Sequence, residues 1–249
     1  MNTTVVLDRP LISLADANAV AALQTRVDRK YLVDEQTLSE LVDELPASVH
    51  QLEIGGRTDF GYRSTYFDTP GLDLYRAAAH RRRRRFKVRT RTYTDTSGCF
   101  LEVKAKGARG QNIKSRIEWP DLVDDRLTPT GIDFIDAATG TTAIASTLGP
   151  VLTTAYSRST LVDVASATRL TIDRSLRCTD IRGRTTTLDA IVVEIKSGGA
   201  PSEADRWLWR RHVRPQRISK FCTGLAALDP ALPSNRWHRV LDRHWKPAA

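Results

Sequence analysis

The sequence predicts an α+β fold built on an antiparallel sheet of about eight strands, and three observations lead to it. Segment after segment alternates charged with aliphatic residues at the two-residue period of a strand. The stretch from Lys87 to Lys106 reads as a hairpin that carries this pattern at its strongest. The formal charge is +9 and the pI is near 9.8, so the charged faces are dominated by cations and point to an anionic partner.

In that hairpin, Lys87, Arg89 and Arg91 share one face, and Glu102, Lys104 and Lys106 share a face on the next strand. A polar turn through Asp95, Ser97 and Gly98 joins the two strands. A strand packed on the core by its shared face would show aliphatics there. Taken alone, the spacing fits a solvated outer face. Its recurrence along the chain leaves two architectures: a flat sheet with the polar face in water, or a closed barrel with that face inward and the aliphatics packed on outer helices.

Taken in order, residues 11–24 read as a short Ala-rich helical lead-in. Residues 25–33 read as a strand with Arg26, Asp28 and Lys30 on one face. Asp34 is positioned as the N-cap of a helix that gathers Leu38, Leu41, Val42 and Leu45 on one side and stops at Pro46. Phe60 to Phe67 is a strand ending at the Asp68-Thr69-Pro70-Gly71 turn, and residues 72–80 form a helical turn. After the hairpin come a loop from Gly107 to Gly110 and a strand over 113–119, with Lys114, Arg116 and Glu118 on its polar face. Residues 121–150 read as one or two covering helices. Strands resume at 152–161, with Tyr156, Arg158 and Thr160 on one face, and at 168–173, with Arg169, Thr171 and Asp173 together. The run 190–197 alternates Val192, Glu194 and Lys196 with Ile191, Val193 and Ile195. Ser202 caps a helix to about Val213, and Arg217 to Phe221 precede a short closing helix. Without a low-complexity linker, the reading is one domain over 1–249, its motif-bearing core about 26–228.

The chain has no apolar run near the roughly 18 residues of a spanning helix and no signal peptide at its start. Its cysteines, Cys99, Cys178 and Cys222, have neither CxxC nor metal-ligand spacing, so they read as small buried hydrophobes in a reduced, cytoplasmic protein. No P-loop, kinase motif set or metal-spaced His pair is present. A cation-lined barrel interior would be costly empty and so would hold water or a long anion. Arginine's forked donors match phosphate oxygens, lysine adds a mobile point charge, and the sparse carboxylates imply a divalent cation bridging phosphates.

At this point the chain resembles a family. The run Arg26-Val27-Asp28-Arg29-Lys30-Tyr31, the block Ser64-Thr65-Tyr66-Phe67-Asp68-Thr69, Lys87-Val88-Arg89-Thr90-Arg91, Leu101-Glu102-Val103-Lys104, Glu194-Ile195-Lys196 and Ser219-Lys220-Phe221 are similar, in order, to the VTC domain. That is the polyphosphate polymerase branch of the triphosphate tunnel metalloenzymes, which include the CYTH-type triphosphatases. The resemblance implies an eight-stranded antiparallel β-barrel tunnel with helices packed outside, and transfer of the γ-phosphate of ATP to a polyphosphate chain with Mn2+ or Mg2+. By matched motif it implies Lys30, Arg89, Arg91, Lys104, Arg158, Arg169 and Lys220 at the reacting phosphates. It likewise implies Arg26, Lys87, Lys114, Arg116 and Lys196 along the bound chain, and Glu194 and Glu102 as metal carboxylates. The triphosphatase branch opens with Glu-x-Glu-x-Lys; here Arg26 and Asp28 stand at the Glu positions, which favours holding a chain over hydrolysis.

Competing readings are a triphosphate or nucleoside triphosphate hydrolase of the same fold and a non-catalytic polyphosphate binder. Nucleic acid comes last, because the basic residues alternate with aliphatics on many strands instead of covering an outer surface. Eukaryotic members of the family sit in membrane-bound assemblies, and a membrane role here would need a separate membrane partner. Arg81 to Arg85 read as mostly solvated, His50, His80, His212, His238 and His244 as non-ligands, and Trp207 and Trp209 as packing residues. Tyr66 and Phe67 read as core or rim residues, and Asp173 as either a tunnel group or the partner of a neighbouring arginine.

Overall fold

The computed structural model describes residues 8–20, 27–95, 98–106, 112–120, 126–141 and 144–246. Its elements run β1 (Leu11–Ile12), α1 (Leu14–Val20), β2 (Val27–Val33), α2 (Glu35–Asp43), β3 (Val49–Leu52), β4 (Asp59–Asp68) and α3 (Asp73–Ala79). There follow β5 (Phe86–Tyr93), β6 (Cys99–Lys106), β7 (Asn112–Glu118), α4 (Pro129–Thr139) and a 3-10 turn (Ala145–Thr147). The chain closes with β8 (Gly149–Asp163), β9 (Thr168–Asp180), β10 (Thr185–Thr187), β11 (Ile191–Ser197), α5 (Glu203–Arg210), α6 (Lys220–Leu228) and α7 (His238–His244). The hydrogen-bonded order of the main sheet is β2-β11-β9-β8-β4-β5-β6-β7, the eight strands expected for the α+β class. The expectation of closure is corrected: among the described residues the path is open, with β2 and β7 as its ends. Both end strands carry charged side chains, Asp28, Arg29 and Lys30 on β2 and Lys114, Arg116 and Glu118 on β7, a composition that discourages edge pairing.

The chain divides into two compact units. The first comprises residues 1–60, 157–176 and 189–217. Here β11 pairs antiparallel with β2 and β9, and the aliphatic faces of these strands meet helices α2 and α5. Tyr31, Leu38, Leu41, Leu170, Ile172, Val193, Ile195 and Leu208 make the centre of that core. Asp34 caps α2 as the sequence predicts, its carboxylate accepting from the Thr37 amide at 2.8 Å. Helix α5 is fixed by Asp205, which closes a capping box with Ser202 and accepts from the Tyr31 hydroxyl at 2.6 Å. Trp207 is buried in the core and the Trp209 indole donates to the Tyr31 hydroxyl at 2.9 Å, so both are packing residues.

The second unit comprises residues 61–156, 177–188 and 218–249. Strands β4, β5, β6 and β7 pair antiparallel in sequence order. Their core-facing apolar residues Phe67, Val88, Leu101 and Val103, with Trp119 just after β7, pack with Leu74 of α3 and Ile135 of α4. Asp68 ends β4 and accepts from the amides of Thr69, Leu74 and Tyr75 at 2.7, 2.9 and 2.8 Å, seating the start of α3.

Several boundaries differ from expectation. The lead-in holds a two-residue strand as well as a helix. Strands β3 and β10 and helix α7 are additional, each too short to show a period. Strand β9 continues to Asp180, past the expected end at Asp173, with Ser175 inside it at a left-handed φ of 55°. Helix α5 stops at Arg210 instead of near Val213, with a sharp backbone turn at His212 (φ 61°). The expected Gly107–Gly110 loop lies outside the described residues. No helix among the described residues is long and apolar enough to cross a membrane.

Candidate functional site

The second unit carries a grid of polar side chains on the face opposite its aliphatic core. Directly opposed residues of paired strands share a face, so register defines the rows. One row runs Tyr66, Arg89, Glu102, Arg116 across β4 to β7, and another runs Lys87, Lys104, Lys114. Towards the other end of β5 lie Ser64, Arg91, Phe100 and Glu118, then Tyr62 opposite Tyr93. Val88 and Thr90, between these positions, are buried on the opposite face. The alternation read from the sequence is therefore real.

Glu102 is the hub of this grid. Its side chain is 3% exposed, and Arg89 donates to its Oε2 from Nε at 2.9 Å and Nη2 at 2.7 Å. Lys114 Nζ lies 2.5 Å from Oε1, and Arg91 Nε 3.8 Å from Oε2. Burial pushes the Glu102 carboxyl up, but the charges of Arg89, Arg91 and Lys114 overcome it and hold the group at about 2. Burial in turn pulls the Lys114 ammonium down, against the opposing pull of Glu102. One carboxylate thus orients three cations without neutralising them.

The remaining donor of Arg89, Nη1, meets the Tyr66 hydroxyl at 2.9 Å, and Tyr66 stacks on Phe221 of α6 at 5.0 Å between centroids. Helix α6 begins at Lys220, with Ser219 as its N-cap; the Ser219 hydroxyl accepts from the Cys222 amide at 3.2 Å and from Lys87 Nζ at 2.6 Å. Lys220 Nζ sits 4.4 Å from the centre of the Tyr156 ring, and Arg116 lies over Phe100 at 4.8 Å. Lys104 is exposed on β6 between the register positions of Lys87 and Lys114.

The first unit carries a second charged face. Lys30, Glu194 and Thr171 form one row across β2, β11 and β9; Asp28, Lys196 and Arg169 form the next. Lys196 donates to Glu194 Oε1, and Lys30 Nζ lies 3.6 Å from Oε2. Burial raises the Glu194 carboxyl, yet Lys30 and Lys196, with Arg158 behind them, hold it well below the usual carboxylate range. Arg158 forks onto Asp173 through Nε at 2.5 Å and Nη2 at 2.8 Å, which resolves the reading of Asp173 as an arginine's partner. Arg169 turns to helix α1, donating from Nη2 to the Ala17 carbonyl at 2.8 Å and to Asn18 Oδ1 at 3.3 Å. Arg26 lies outside the described residues.

The structure thus gathers Lys87, Arg89, Arg91, Glu102, Lys104, Lys114, Arg116 and Lys220 in the second unit, and Lys30, Arg158, Glu194 and Lys196 in the first. Tyr66, as the arginine's second anchor, was not legible in the sequence. Its signal is the strand register, which sets it opposite Arg89. Arg81 to Arg84 are exposed, as expected. Among the described residues no three His, Cys, Asp or Glu side chains are grouped to hold a metal by themselves. Glu194, the carboxylate that the motif resemblance puts at a metal, has its two oxygens facing Lys196 and Lys30.

The structure is an α+β protein with an antiparallel sheet whose charged faces set cations around single buried carboxylates. The chain belongs to the VTC domain family, whose model matches residues 25–229. No curated protein sequence matches it. Among solved structures, a candidate adenylate cyclase from Bacillus halodurans shares 15% identity with a TM-score of 0.51, over 78% of this chain and 94% of that one. A candidate adenylyl cyclase from Hippeastrum, described as having a dominant triphosphatase activity, shares 13% identity at a TM-score of 0.47, over 81% and 96%. A Pyrococcus horikoshii protein shares 14% at 0.44, over 79% and 96%. Family membership assigns the chain a phosphate-handling function of the triphosphate-tunnel type.

Proposed function

We propose that this protein is a metal-dependent polyphosphate polymerase that moves the γ-phosphate of ATP onto a growing polyphosphate chain. The observation that carries the reading is the Glu102 hub: a buried carboxylate holds Arg89, Arg91 and Lys114 in fixed positions, with net positive charge left for phosphate oxygens. Phosphoryl transfer asks mainly for in-line positioning and neutralisation of the charge on the transferring group, and preset cations supply both without a protein nucleophile. Lys87, Lys104, Arg116 and Lys220 extend the same face along a chain-like anion. Lys30, Arg158 and Lys196 are the cations of the first unit's own charged face, and Arg26 belongs with them by motif, whereas Arg169 is engaged by helix α1. Glu194 would hold a Mn2+ or Mg2+ ion carried in by the phosphates; when bound, such an ion neutralises phosphate charge. Glu102, already engaged by three cations, acts by orienting them.

The test is incubation of the purified protein with ATP and Mn2+, followed by gel separation and dye detection of polyphosphate. Polymer formed by the wild type and lost in Glu194→Ala and in Arg89→Ala is the expected result. Free phosphate without polymer would instead make the protein a hydrolase. Polyphosphate binding without turnover would make it a binding module, and absence of binding would sink the reading.

A further inference from the structure

The charged face of the second unit is not uniform along its strands. It is basic at Lys87, Arg89 and Arg91, but the next position of β5 on the same face is Tyr93, and there the surface turns aromatic. Tyr93 opposes Tyr62 in register, and their rings meet edge-on at 5.0 Å. Tyr93 also meets Phe100 edge-on at 6.0 Å, while Tyr62 stacks in parallel on Tyr156 at 5.3 Å and 7°. Two cations cover this group from the basic side: Arg91 lies 5.6 Å from the Tyr62 ring centre and Arg116 4.8 Å from that of Phe100.

Such a group needs an explanation. Tyr62, Tyr93 and Phe100 are only half-buried, they stand on the polar face, and none belongs to the unit's aliphatic core. A phosphate chain has no use for π-faces, because phosphate oxygens seek donors and positive charge. A nucleobase does use them: it stacks on aromatic rings and on guanidinium planes. The strand rise of about 3.3 Å per residue puts Arg91 about 7 Å and Arg89 about 13 Å from Tyr93. A ligand with a flat base at one end and a triphosphate at the other matches that order of surfaces.

We infer that the aromatic end of this face, Tyr62, Tyr93 and Phe100 with Arg91 and Arg116, is a base-stacking subsite that makes the protein select a nucleoside triphosphate over a bare triphosphate. The inference rests on the phosphate-handling reading of the adjoining cations and assigns the part of the substrate those cations do not read. Stacking tolerates any base, so the subsite recognises the presence of a base more than its identity.

The test is calorimetric titration of the protein with three ligands: ATP, base-free ribose 5-triphosphate and inorganic tripolyphosphate. ATP is expected to bind roughly tenfold more tightly than ribose 5-triphosphate. In Tyr93→Leu and in Phe100→Leu, with folding checked by circular dichroism, that preference disappears while tripolyphosphate affinity stays within about twofold of wild type. Arg89→Gln serves as the contrast and weakens all three ligands. Equal affinity of the wild type for ATP and ribose 5-triphosphate overturns the subsite. So does equal loss of ATP and tripolyphosphate in the leucine variants, which marks the rings as structural. A single-stranded oligonucleotide that outcompetes ATP in a Tyr93-dependent way also overturns it, in favour of a nucleic-acid surface. If the wild type binds none of the three ligands, the phosphate-handling reading itself falls; if tripolyphosphate binds normally and only the base preference is missing, the subsite alone falls.

Discussion

Glu102 is the residue on which the second unit's charge arrangement depends, and its chemistry has a measurable sign. Its folded carboxyl sits near 2, below the 4.5 of a free glutamate, so the charged form is the one favoured by folding. The stability it contributes is fully present above the unfolded value and is lost as pH falls through the window from about 4.5 to about 2. Glu102→Gln removes the anion and leaves Arg89, Arg91 and Lys114 facing one another. It is expected to cost about 3 kcal/mol near neutral pH, read as a lowered urea midpoint. Repeating the denaturation at falling pH should show the gap between wild type and variant shrinking below about pH 4.5, and a gap that stays constant would place the Glu102 effect outside ionisation.

At the scale of elements, helix α6 sets where Lys220 stands, and helix α3 is anchored by the end of β4. Helix α6 sets Lys220 and Ser219, and it lies close against β8 and β9: a Cβ added at Gly224 would come 2.7 Å from the Cys178 sulfur and 3.1 Å from Leu152. Gly224→Ala is expected to destabilise the protein by about 1–3 kcal/mol and to weaken tripolyphosphate binding by displacing Lys220, measured by thermal unfolding and calorimetry. Helix α3 starts on Asp68, which accepts three backbone amides while buried. Asp68→Ala leaves those donors without their acceptor and is expected to cost about 2 kcal/mol or more in denaturant titration. The Asp68-Thr69 motif is therefore a fold device beside the site.

For the molecule as a whole, a formal charge of +9 makes anion capture electrostatic. Tripolyphosphate affinity is expected to fall steadily as salt is raised, because the exposed cations such as Lys104 and Arg116 are screened over about 10 Å at 0.1 M. An affinity indifferent to salt would contradict a site built from these side chains. Removal of divalent cations with EDTA is expected to stop polymer formation from ATP, followed on the same gels, while leaving tripolyphosphate bound to the arginines and lysines.

The sequence by itself determined the strand faces, because period-two alternation is a local property: Lys87, Arg89 and Arg91 share a side wherever the strand goes. The Asp34 and Ser202 caps and the order of the family's motifs were legible for the same reason. Only the tertiary structure decided which carboxylate meets which cation. Hairpin register set Glu102 beside Arg89 and Lys114, and cross-strand pairing set Lys30 beside Glu194. Arg158 could go to Asp173 only once β8 and β9 placed the pair together, and Arg169 was drawn away by the carbonyl end of α1. The aromatic end of the face was invisible in the sequence, since Tyr62, Tyr93, Phe100 and Tyr156 lie on four different strands. Contacts between residues distant in the chain depend on register and packing, and neither is written in the period of any one segment.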